Sequence, residues 1–254
     1  MKNPKREPLM TESYFDKDIE MLRTELAILD KEKNLPAEEI YIELVYQSEY
    51  NYRFNLLAAM YSHGYPVTQL KQDFPAVVLA LEKFIQHPKS IDLFFDGEMD
   101  GYTSALALIS LGLLLHVEMD VFRRMVAAIG ANGQDFVLEW LIGRRLPDRP
   151  RTTQLLFPKT YARLRDAIQA PRDIQGAVLK VFLAGWYESL DTVWYECHRA
   201  PEGGGFTGYW CWEAAAVACF LGADDGELRA MRYYPTDLAD YAYGRKLQSA
   251  TDPG

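Results

Sequence analysis

The chain has 254 residues, 49% hydrophobic and 25% charged, enough to bury a sizeable core as one large domain or two modest ones. Its net charge of −9 argues against nucleic acid or an anionic membrane as direct partners, since both would repel it. Three cysteines, Cys197, Cys211 and Cys219, with no CxxC spacing, argue against a disulfide framework or a cysteine-rich zinc site and suit a reducing compartment.

The elements read in order as almost wholly helical. Phe15, Ile19, Leu22, Leu26 and Leu29 recur at helical spacing. Pro36 with Glu38 and Glu39 is expected to open a second helix that carries Ile40, Leu44, Tyr50, Phe54, Leu57 and Tyr61 and ends at Gly64. Further helices are expected after Pro75, over 102–115, 120–129, 134–142, 159–169, 173–190 and 209–221. Strand-like alternation is hard to find. The basic N-terminus leads into charged residues instead of an apolar core, so it does not read as a signal peptide. The longest apolar run, 105–115, is too short to span a membrane and reads as a buried helix, which makes a cytoplasmic protein the expectation.

The stretch from Leu146 to Pro158, with three prolines and two arginines, is the candidate linker, giving an N-terminal helical domain over 1–145 and a C-terminal one over 146–254. A glycine-rich loop follows at 198–206. Shifted by 106 residues, LLHVEMDVFRRM lies against FLGADDGELRAM, with Leu115, Arg123 and Met125 matching Leu221, Arg229 and Met231. That is either a pair of related helical hairpins or a chance likeness between amphipathic helices.

Catalytic motifs are scarce. There is no GxSxG, Walker-type glycine loop, HExxH, or GxGxxG after a strand. Glu188, Asp191, His198 and Glu213 are the nearest polar constellation, and together they would suit a metal-dependent hydrolase. Glu213, set among Tyr209, Trp210, Trp212, Ala216 and Val217, has little access to water. A buried carboxyl needs a hydrogen-bonding or cationic partner, expected in His198 or an arginine of 144–172, or else it takes up a proton. His63 and His87 sit at helix ends, where they can satisfy the last carbonyls.

Tyrosines and tryptophans crowd the C-terminal half, next to Asp224, Asp225, Glu227, Asp237 and Asp240. Aromatic anchors beside carboxylates suit capture of a basic protein surface, although in a helical domain most aromatic rings fill the core. The order Gly185-Trp186-Tyr187, Trp194, His198, Gly208-Tyr209-Trp210, Glu213-Ala214-Ala215, Asp224-Asp225, Tyr234-Pro235 and Asp237-Leu238 resembles the PoNi family of bacterial immunity proteins. The N-terminal half is similar to that family more loosely, in the 41–61 and 106–120 helices.

The resemblance implies an all-α chain of stacked helical hairpins, with an N-terminal helical domain packed on a larger C-terminal one. It implies a non-enzymatic toxin inhibitor without metal or cofactor, paired with a nuclease effector of a type VI or related secretion system. Trp186, Trp194, His198, Tyr209, Trp210, Glu213, Tyr234 and Pro235 are then the structural motif. The expected toxin contacts are Asp224, Asp225, Asp237, Asp240, Glu202 and Phe206. A helical adaptor with some other partner is the remaining alternative.

Overall fold

The computed structural model describes residues 3–35, 41–200 and 205–244. Among these the regular elements are helices and no strand occurs. The chain forms two compact units, the first from 1–105, 117–132 and 190–209, the second from 106–116, 133–189 and 210–254. Each half of the sequence therefore contributes to both units.

In the first unit, α1 (Glu12–Glu32) begins where the Thr11 hydroxyl accepts the Tyr14 N–H at 3.1 Å. Its apolar positions Phe15, Ile19, Leu22, Leu26 and Leu29 are all buried. Helix α2 (Ile42–Ser62) packs on α1, and α3 (Val67–Ile85) packs on α2. The expected opening of the second helix at 36–40 lies outside the described residues. The third helix does not start after Pro75 but runs through it from Val67. Proline removes one N–H from the ladder, yet Leu70 and Phe74 before it and Val77, Val78 and Leu81 after it are all buried, and that continuous apolar face holds the helix together. Helix α4 (Met99–Leu114) starts in this unit, and its residues from Leu106 onward belong to the second. Helix α5 (Met119–Ile129) packs on α3, with Arg124 Nε donating to Glu82 at 2.9 Å, and stops at Gly130 in the left-handed region at φ 73°.

In the second unit, Asp135 caps α6 (Phe136–Ile142) by accepting the N–H groups of Val137 and Leu138, and its other oxygen accepts the Leu156 N–H at 3.0 Å. The 146–158 stretch does not hang free. Arg149 donates twice to buried Glu139, at 2.6 and 2.8 Å, and Phe136 N–H reaches the Gln154 carbonyl. Helix α7 (Pro158–Gln169) packs on α6 and on α8 (Gln175–Trp186), which ends in a 3-10 turn, and α8 packs on α9 (Trp212–Leu221). The expected helix over 209–221 begins three residues later, because Cys211 N–H is spent on the Tyr233 carbonyl. A short α10 (Thr236–Ala242), unforeseen in the sequence, packs on α9. In the proposed repeat, the counterpart of α5 is a single 3-10 turn at Leu228–Ala230.

Candidate functional site

The Glu213 carboxyl, in the first turn of α9, is 4% exposed. Trp186 Nε1 donates to its Oε1 at 2.8 Å and the Tyr161 hydroxyl at 3.4 Å, with the Cys211 thiol as a third donor. These partners are all neutral, so neither His198 nor an arginine of 144–172 serves as the expected counter-ion. Burial raises the carboxyl above its ordinary range, since no cation offsets the loss of water. The motif residues Trp186 and Glu213, joined by Tyr161, thus form a hydrogen-bonded knot inside the second unit.

The acids after α9 divide into interior and surface groups. Gly222, left-handed at φ 64°, ends the helix and lets the chain turn into Asp224 and Asp225. Asp225 is 2% exposed and accepts the Tyr234 hydroxyl at 3.0 Å. Asp240 is 4% exposed and takes a bidentate pair of bonds from Arg229, at 2.6 and 2.8 Å, while Arg229 also stands 3.8 Å from Asp225. Tyr234 and Pro235 are buried over this node. Of the four aspartates expected to meet a toxin, Asp224 is exposed and Asp237 half-buried, and the other two are committed to the interior.

Of the remaining motif residues, Trp194, His198 and Tyr209 lie in the first unit. His198 Nδ1 and the Tyr209 hydroxyl are 2.8 Å apart, and Trp194 packs on the Tyr209 ring. Burial raises the Cys197 thiol, 3.7 Å from the same hydroxyl, which keeps it a thiol and not a nucleophile. Phe206 is fully buried against Phe15 and Tyr209. Its backbone is clamped by the Tyr14 hydroxyl, which donates to the Phe206 carbonyl at 3.1 Å and accepts its N–H at 3.2 Å. It is therefore placed as an internal anchor. Glu202 lies outside the described residues. Trp210 is buried in the second unit beside Trp212.

The four residues of the hydrolase alternative are not gathered into one site. Glu188 and Asp191 are exposed, and among the described residues no group of three histidines, cysteines, aspartates or glutamates is placed to hold a metal. No helix of the described residues is long and apolar enough to cross a membrane. Sequence reasoning missed Arg229, although its spacing of four from Asp225 was a usable signal. It also missed Asp18, which is 6% exposed on the Tyr14 side of α1, with Oδ2 unpartnered among the described residues.

A crystal structure of protein PA2201 from Pseudomonas aeruginosa is similar over 96% of this chain and 92% of that chain, with a TM-score of 0.76 and 17% identity. At that identity the likeness is one of fold. No curated protein sequence matches the chain. Residues 6–127 match the family described as "PoNe immunity protein (PoNi), N-terminal", and residues 133–238 match "PoNe immunity proteins (PoNi), C-terminal". With both parts present in that order, the chain belongs to the PoNe immunity protein family.

Proposed function

We propose that this protein shields the cell that makes it by binding a PoNe toxin, a DNase of interbacterial competition delivered by a type VI or related secretion system, and blocking it without catalysis of its own. The observation that carries this reading is the paired family match across residues 6–127 and 133–238. The disposition of charge supports it. A DNase presents a cationic surface to its substrate, and a partner of net charge −9 gains steering toward that surface and competes with DNA for it. Interior carboxylates are absorbed by Arg229, Trp186 and Tyr161, so contact falls to acids that reach the surface, among them exposed Asp224 and half-buried Asp237. The DNA to be protected places the encounter in the cytoplasm.

Co-expression with the toxin encoded beside it tests the reading. Cells should survive toxin induction, and the two proteins should elute together on gel filtration as a tight complex whose association slows as salt rises. Failure to rescue, with no complex formed, sinks the proposal. Charge reversal at Asp224 and Asp237 should slow association several-fold at low ionic strength and less at high.

A further inference from the structure

The first unit carries three large apolar side chains that stand exposed. Tyr41 is 71% exposed, Leu44 55% and Ile91 59%. Tyr41 and Leu44 are three apart at the start of α2 and so share a face. Lys89 reaches Glu43 at 3.4 Å, which brings the segment carrying Ile91 to the same end of the helix. The segment that follows, 91–100, holds Asp92, Asp96, Glu98 and Asp100 and no lysine or arginine. Val193, 88% exposed, stands beside this run, with its N–H donating to the Asp100 carboxylate at 3.1 Å.

The 91–100 segment is tied to the fold. Phe94 is buried with its ring edge-on to Tyr50, and Asp92 Oδ1 accepts the N–H groups of Phe94 and Phe95 at 3.1 and 3.0 Å. Gly101 lies so close to the Leu93 carbonyl that no larger residue fits without displacing the segment. Large exposed apolar side chains on a fixed support, rimmed by like charge, are the composition of a docking surface: little ordering entropy is lost, an aromatic anchor fills a partner's pocket, and the rim selects the partner's sign.

We infer that the surface formed by Tyr41, Leu44, Ile91 and the acidic 91–100 segment is a docking site for a basic face of the toxin. This rests on the toxin-binding reading above and names a contact surface in the N-terminal half, apart from Asp224 and Asp237. Charge decides the occupant. Two copies of so acidic a rim would repel each other, whereas a cationic nuclease face neutralises it.

The test is a dissociation constant, measured with the toxin domain that the native chain neutralises. The combined variant Tyr41→Ala, Leu44→Ser, Ile91→Ser should keep its circular dichroism spectrum and Tm, because these side chains are more than half exposed. It should bind about 100-fold more weakly, the loss of a hot-spot cluster. Glu98→Lys should slow association several-fold at low salt and converge on the native rate at high salt. Binding of the triple variant within about threefold of native overturns the inference, since a hot-spot patch would cost more. A shift in its own oligomeric size with toxin affinity unchanged overturns it as well, marking a self-interface. A native chain that binds no toxin overturns the underlying reading instead, and this inference with it.

Discussion

The Trp186 indole N–H meets Glu213 Oε1 at 2.8 Å, a bond between α8 and α9 in the interior of the second unit. Tyrosine and thiol donors complete the carboxyl's surroundings, and a carboxyl held only by neutral groups retains its proton above the ordinary 4.5. Because the folded carboxyl binds its proton more tightly than the unfolded one, its contribution to stability is full below about 4.5 and is lost as pH rises through the raised value. Glu213→Gln keeps the shape and the acceptor oxygen but cannot ionise. Its Tm should therefore match the native one near pH 4.5 and exceed it at pH 8. A parallel fall with pH in both proteins would show that Glu213 does not titrate in this range. Glu213→Leu removes the acceptor and strands the Trp186 N–H, at a cost of about 1–3 kcal/mol at every pH.

Arg229 holds Asp240 through a bidentate pair of hydrogen bonds and stands 3.8 Å from Asp225. Removing one partner of a buried pair leaves a desolvated charge behind, which typically costs about 3–5 kcal/mol. Arg229→Ala should lower the midpoint of urea unfolding by that order, and adding Asp240→Asn should recover part of the loss. Equal midpoints for the single and double variants would mean that Asp240 is not the stranded charge.

Asp18, like Glu213, is held above the ordinary carboxylate range. Burial lifts its carboxyl from 3.8 to about 6, only partly offset by a hydrogen bond from the Gly205 backbone. With the folded value raised, stability falls as pH climbs from about 4 to about 6 and stays reduced above. Asp18→Asn should raise Tm at pH 7.5 and leave it unchanged at pH 4, and the pH profile of unfolding should flatten through this window. An asparagine variant with the native profile would assign the slope to another group.

Much of this architecture was written in local pattern. The α1 positions read at helical spacing are its buried face, and Ile129 followed by glycine ended α5 where expected, because such signals need only a few neighbouring residues. What escaped was non-local. Asp225 and Asp240 look like surface acids until Arg229 is brought between them, and Phe206 looks like a loop tip until the Tyr14 hydroxyl clamps it. The indole donor of Trp186 carries no sequence periodicity that ties it to Glu213. Helix α10, at seven residues, was too short for its period to show. The exposed Tyr41 and Leu44 sat at the start of an ordinary helical pattern and Ile91 in a connection between helices, and only their accessibility sets them apart.

Gly176 couples the scaffold to the surface. It lies in the first turn of α8, where an added Cβ would stand 2.7 Å from the Asp224 carbonyl oxygen, a backbone atom that cannot rotate away. The close approach fixes the loop that holds Asp224 on the surface. Gly176→Ala gains helix propensity and yet should destabilise, since forcing backbone apart costs about 1–3 kcal/mol against about 1 gained. Displacing the loop also moves Asp224, so association with the toxin should slow at low salt while Tyr41, Leu44 and Ile91 remain where they were. Calorimetry and stopped-flow binding on the same variant separate the two effects. A raised Tm with native association kinetics would mean that the loop yields freely, and Asp224 would then lose its claim to a fixed position in the complex.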